Sequence, residues 1–334
     1  MTADPQFTRT RPAVSEADNT AAWRTAPQAA TVEEHVRALR AQGQWARVAG
    51  PRTFWQAAEM RSLALHPEFL LEVPEPAAIR RMLWRVCSPL ATYVRPPDAS
   101  HPQNAWLYVS ADQHYHLDKL KRTVRRNIRR AQEVLRFEFL DDETLRQHGA
   151  KAFCDTRTRV GLSDGTVAAF CRMHAAHVAN PGRAVVGAWA GDQLAGYVTL
   201  SLVDDWAEIY IYAQDAFLSE RPVNGLIDHV FDYFLVQRRF RLVSLGVSSI
   251  QEESNAAGLH AFKRYVGCEC RPVHRAFVFH PLLAPFANSL TLWGLRCLRG
   301  FWPRHPEIRK AAGILAAHRG ANPMPQDTRD SSEE

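Results

Sequence analysis

Residues 184–213 constrain the fold most. The runs AVVGAWAG, LAGYVTLSLV and WAEIYIYA are rich in β-branched and aromatic residues and stand only two residues apart. Gaps that short leave antiparallel hairpins as the connection, because parallel neighbours need a crossover of about a dozen residues or more. After a polar linker the period changes. GLIDHVFDYFLVQRR has helical spacing, RLVSLGVS reads as a strand, 255–266 as a helix and PVHRAFVFH as a strand. The order β-β-β-α-β-α-β implies an α/β (α+β) domain, a mixed sheet with helices packed on it.

Within WAEIYIY the side chains alternate. Trp206, Glu208, Tyr210 and Tyr212 share one face, and Ala207, Ile209 and Ile211 take the other. The second face is ordinary core. The first sets a carboxylate among aromatics, a setting that raises a carboxyl pKa and suits a general base. The plainer alternative is an exposed sheet face with Glu208 solvated.

The first half carries fewer signals. Thr31-Val-Glu-Glu34 is a capping box that opens a helix to about Gln42. Residues 51–95 read as two helices and a strand, LATYVRPP; NAWLYVS and LRFEFLD read as further strands. Between the last two lies KLKRTVRRNIRRAQ, with seven positive charges and no acid in fourteen positions. On a helical wheel Arg122, Arg125, Arg126, Arg129 and Arg130 share one face, opposite Leu117, Leu120, Val124, Ile128, Ala131 and Leu135. Arginines at that spacing repel one another, so the helix calls for acids from other segments or for an anionic ligand.

Composition removes several classes. The net charge of +6 over 334 residues is small and concentrated in this helix, whereas a nucleic-acid coat would spread it. The helix also lacks the interleaved aromatics that single-strand stacking requires, so DNA is disfavoured. The first residues show no apolar h-region, no run reaches a membrane-spanning length, and six cysteines in so long a chain form no disulfide framework. Reduced thiols in a cytoplasmic protein are expected. Cys171, His174 and His177 recur every third residue and Cys268 with Cys270 form C-x-C, but neither has zinc-site spacing, so no metal is expected. P-loop, G-x-G-x-x-G and G-x-S-x-G motifs are absent.

The stretch NAAGLHAFKRYVG, in this order of elements, resembles the GNAT acyltransferase superfamily, in which a helix carrying N-x-x-A-x-x-x-Y-x-x-x-G follows the fifth strand. Asn255 matches, Gly258 takes the small-residue place, Phe262 stands for the tyrosine, and Gly267 comes one position late. The superfamily's pyrophosphate loop, [QR]-x-x-G-x-[GA], is missing; the nearest stretch is Arg221-Pro-Val-Asn-Gly225, whose spacing differs. A helix start there offers N–H groups to a phosphate, although Pro222 removes one donor. A closer likeness is to the Fem-like branch, which includes peptidoglycan-bridge aminoacyltransferases built from two GNAT-like halves. Its R-x-x-I-R-R-A helix is similar to residues 125–131, and its G-L-x-x-F-K-x-x-x-G to residues 258–267; the likeness runs from about residue 50 to 285.

The resemblance implies two tandem GNAT-like halves, with mixed sheets flanked by helices. With the polar, aperiodic ends read from composition, the expected division is a disordered segment 1–30, an N-terminal half 31–150 with the basic helix 117–135, and a C-terminal half 151–285. An amphipathic helical segment 286–317, able to touch a membrane surface through 290–302, and a disordered tail 318–334 complete the chain. It implies an acyltransferase that moves an acetyl or aminoacyl group from acyl-CoA or a charged tRNA to an amine or hydroxyl, on a small molecule or a cell-envelope precursor. Lys263 is the position the resemblance associates with stabilising an oxyanion. Glu208 and Tyr210 are the other catalytic candidates. Donor-site candidates are Phe262, Asn255, Arg221, Gly225, Arg122, Arg126 and Arg129. A non-catalytic binding module or partner subunit with a degenerate donor site is the alternative.

Overall fold

The computed structural model describes residues 27–160, 164–248, 256–302 and 305–320. The disordered ends expected at 1–30 and 318–334 lie largely outside these residues. The elements begin with α1 (Val32–Ala41), β1 (Ala46–Val48), β2 (Phe54–Ala57), β3 (Leu63–His66), α2 (Pro76–Val86), β4 (Leu90–Arg95) and β5 (Ala105–Ser110). The basic helix α3 (Arg122–Val134), β6 (Arg136–Phe139), α4 (Asp142–His148), α5 (Ala150–Arg159) and α6 (Val167–Val178) follow. Then come β7 (Arg183–Ala190), β8 (Gln193–Val203), β9 (Trp206–Ala213), α7 (Pro222–Phe231), β10 (Leu242–Val247), α8 (Ala256–Tyr265), β11 (Glu269–Phe279), α9 (Ser289–Phe301) and α10 (Pro306–His318).

All eleven strands join one mixed sheet, in the order β1-β2-β3-β4-β11-β5-β10-β9-β8-β7-β6. The three central runs do form the expected hairpins, with Gly191 (φ +58°) and Asp204 (φ +48°) supplying the left-handed residues of their tight turns. Sequence proximity does not set the rest. β5 belongs to the first half of the chain, yet it pairs with β10 and β11 of the second, and β11 goes on to pair with β4 through six residues. The two halves therefore interlock through their strands.

The capping box at Thr31 and Glu34 is formed, and α1 runs from Val32. Between 51 and 95 the reading needs correction: two short strands, β2 and β3, stand with a single α-helix. The four residues of β3 are all buried, so its sequence shows no alternation to mark it as a strand.

Core residues divide between the faces of the sheet. Ala207 and Ile209 of β9 join the largest cluster, under α3 and α7, with Ala131, Leu226, Val230 and Phe231. Trp206 faces the other way, into a cluster with Val32, Val36, Phe69 and Leu107. Tyr212 on that same face packs with Phe153 of α5 and Phe170 of α6. A Cβ at Gly225 of α7 would collide with the Phe137 ring and stand 3.1 Å from the Ala131 Cβ, so a glycine there lets α7 close on α3. The segment after β11 folds as α9 and α10, the latter burying Ala312, Leu315, Ala316 and Ala317.

Candidate functional site

β9 and β10 are parallel neighbours for only three pairs, Leu242↔Trp206, Val243↔Ala207 and Ser244↔Glu208. Beyond Ser244 the register of β10 shifts against β5 before Val247, and Gly246 takes a φ of +74°, open to glycine without strain. Among the described residues the two strands pair no further, so the sheet parts immediately after Glu208.

A polar cluster gathers at this parting. His66 ends β3, and the chain turns through Pro67 into the one-turn helix Glu68–Leu70, whose Phe69 ring packs edge-on against Trp206 at 5.4 Å. That contact carries Glu68 across to β9. The His66 Nδ1 lies 3.5 Å from Glu68 Oε2, and one ligand atom from each of His66, Glu68 and Glu208 falls within 4.8 Å of the others. The Tyr210 hydroxyl donates to Glu208 Oε1 at 3.0 Å.

Burial and neighbours divide the charges. Burial would depress the His66 imidazolium, but Glu68 beside it and Glu208 further off raise its pKa to about 9. Glu68 moves the opposite way: burial alone would raise it, and the His66 charge pulls it well below the carboxylate range. Glu208 is raised, by burial first and by the Glu68 charge second, against the smaller pull of His66 and the Tyr210 hydroxyl. At neutral pH the arrangement is an imidazolium–carboxylate pair next to a second carboxyl that gives up its proton reluctantly. A carboxyl of that kind is a natural proton acceptor for an amine nucleophile. The same three side chains are the set among the described residues near enough to share a divalent cation. While His66 holds its proton it offers no lone pair to a metal at Nδ1 and itself supplies the countercharge.

Lys263 occupies the opposite face. It is only 9 % exposed; its Nζ donates to the Leu245 carbonyl at 2.7 Å and lies 4.2 Å from the centre of the Tyr108 ring. Burial lowers its pKa to about 8. The Tyr108 hydroxyl in turn meets His260 Nδ1 at 3.1 Å. Leu245 and Tyr108 belong to the core cluster of Ala207 and Ile209, so Lys263 is below the parting and Glu208 above it. Phe262 is half-buried against the same cluster, and Asn255 lies outside the described residues.

Arg221 sits just ahead of α7, exposed and with φ +60°, and Pro222 follows at the first helical position. On α3, Val124, Ile128 and Ala131 are buried and the arginines face outward. Arg122, Arg125, Arg126, Arg129 and Arg130 line an open groove of about 760 Å³ with Glu133 and Val134. Arg125 pairs with Asp118 at 3.3 Å; among the described residues Arg122, Arg126, Arg129 and Arg130 have no acidic partner within salt-bridge distance. Thus the structure brings Glu208 and Tyr210 together, sets Lys263 behind them, and leaves the arginines on a separate helix face. His66 and Glu68 escaped the sequence reading. The signal available was His-Pro-Glu after the apolar run Leu63-Ala-Leu, two titratable groups where a buried strand ends.

No family model and no curated protein matches this sequence. Among solved structures, the chain aligns with FemX at a TM-score of 0.51 and 10% identity, over 82% of this chain and 98% of that one. The chain shares the fold of FemX. Two further structures align at lower scores. One is the C-terminal domain of a putative lysylphosphatidylglycerol synthetase from Agrobacterium fabrum, with a TM-score of 0.47, 11% identity, and coverage of 73% here and 89% there. The other is a tandem GNAT protein from the clavulanic acid biosynthesis pathway, with a TM-score of 0.41, 12% identity, and coverage of 79% and 95%. Among the described residues no helix is long and apolar enough to cross a membrane.

Proposed function

We propose that the chain is an acyltransferase that moves an acyl or aminoacyl group onto an amine. The observation that carries this reading is Glu208, a carboxyl with a raised pKa standing where β9 and β10 part and held by the Tyr210 hydroxyl. The acceptor nitrogen attacks the carbonyl carbon of a thioester or ester. Its proton passes to Glu208, a tetrahedral oxyanion forms, and the C–S or C–O bond breaks as the carbonyl is restored. The proton on Glu208 then returns to the departing thiolate or alkoxide, so the site ends as it began.

Lys263 anchors the Leu245 carbonyl where β10 bends away, and so acts as a positioning residue for the parting. The donor brings phosphates whether it is acyl-CoA or aminoacyl-tRNA, and the arginine face of α3 is suited to them. A full-length preparation titrated with CoA and acetyl-CoA, then assayed for single-turnover transfer from labelled acetyl-CoA and from aminoacyl-tRNA to a primary amine, tests the reading. Transfer from one donor is expected. Binding of neither, with no transfer, overturns the reaction class and leaves the fold standing.

A further inference from the structure

We infer that the outward face of α9 docks the protein on an anionic lipid surface. Leu290, Trp293, Leu298 and Phe301 project from α9 away from its contact with α10, at 74 %, 65 %, 42 % and 79 % exposure, and Trp302 and Phe286 extend the patch at either end. On the helix, Leu290, Trp293, Cys297 and Phe301 follow one another at spacings of three and four, so they form one stripe. The inward side is a different stripe, with Leu292 and Leu295 packed against α10. Half of the exposed large hydrophobic side chains among the described residues lie between Leu282 and Trp302. Scattered exposed apolar residues are ordinary, but one concentrated patch is the mark of a surface that is covered when the protein works.

The charge of this stretch selects the occupant. From Cys270 to Pro306 the sequence contains not one aspartate or glutamate. Arg296 of α9 is exposed at the border of the apolar stripe, whereas Arg299, half-buried, falls on the side of Leu292 and Leu295. Tryptophan and phenylalanine on one side of a helix, with an arginine at their border, is a composition that settles at the headgroup boundary of a bilayer. The helix is thirteen residues long, too short to span and well suited to lying flat. A helix that carries arginine and no acid beside its apolar stripe is attracted to negatively charged headgroups, so lipid is the occupant we assign.

Co-sedimentation of the full chain with vesicles tests this. Wild type is expected to bind vesicles of phosphatidylcholine mixed with phosphatidylglycerol, to bind pure phosphatidylcholine more weakly, and to release as salt is raised. Trp293→Glu combined with Phe301→Glu should lower partitioning by about tenfold or more, because both side chains must leave the interface. The same change at Val73, exposed on another part of the surface, should leave it unaltered. Circular dichroism of each variant confirms folding. No binding to either vesicle overturns the inference, as does binding that the double variant leaves intact. A soluble dimer that the double variant dissociates, without vesicle binding, also overturns it and makes α9 a self-association face. Failure here says nothing against acyl transfer, which is read in solution with soluble donor and acceptor.

Discussion

On the two faces of the sheet, at one level of the parting between β9 and β10, the chain holds a half-buried carboxyl and a buried ammonium in contrasting ways. Above, Glu208 feels the like charge of Glu68 most strongly among its charged neighbours, and loss of solvent and that neighbour both push it toward the neutral form. Below, Lys263 has a carbonyl and an aromatic ring, and burial alone lowers it. One group is poised to exchange a proton. The other is held in place by the backbone atom it binds. Both lose solvent, one partly and one almost wholly, and the partner is what separates a reactive group from an anchoring one.

Glu208→Gln should lower kcat/KM by about 10²–10⁴-fold, with no loss of thermal stability because it also relieves Glu68 of a like charge. In wild type the acid limb of the pH–rate profile should lie above the range of an ordinary carboxylate, since the base works only after losing its proton. Next is Lys263→Met, which leaves the Leu245 carbonyl without its donor and should cost about 1–3 kcal/mol in urea denaturation. Its turnover should fall modestly; a loss of about 10³-fold at unchanged stability would instead put Lys263 against the reacting acyl group.

His66→Gln sharpens the contrast. Without the imidazolium, Glu208 should hold its proton more tightly and the acid limb should move to higher pH. His66 has a folded pKa raised above its unfolded value, so its contribution is complete below pH 6.5 and is lost as pH rises through about 9. Melting temperature should fall over that window in wild type and not in the variant. The smallest effect is expected from Arg126→Ala with Arg129→Ala. Donor KM should rise by about three- to tenfold at low salt, with the difference shrinking at high salt, because both side chains are exposed.

Much of this architecture is legible in the sequence wherever a period or a turn writes it locally. The face assignment of Trp206, Glu208, Tyr210 and Tyr212 follows from alternation alone, and the buried seam of α3 from its wheel. The same reading gives no hint that β5 lies between β10 and β11. Pairing partners a hundred residues or more apart leave no periodic trace. His66 and Glu68 were hidden for that reason too, since their meaning depends on reaching a strand some 140 residues later. The stretch between β6 and β7 folds into α4, α5 and α6. Its apolar residues were too sparse and its alanines too evenly spread to declare a helical face.

The position of β5 also sets a timetable. Emerging from the ribosome, this strand has neither of its neighbours, because β10 and β11 are made more than 130 residues later. At about 5–20 residues per second that is a wait of several seconds or more with a hydrophobic strand unpaired on both sides. The centre of the sheet cannot close before both halves have been synthesised. A chain cut near residue 150 would therefore be expected to yield two fragments that fold only together, each exposing the edge its partner was meant to cover.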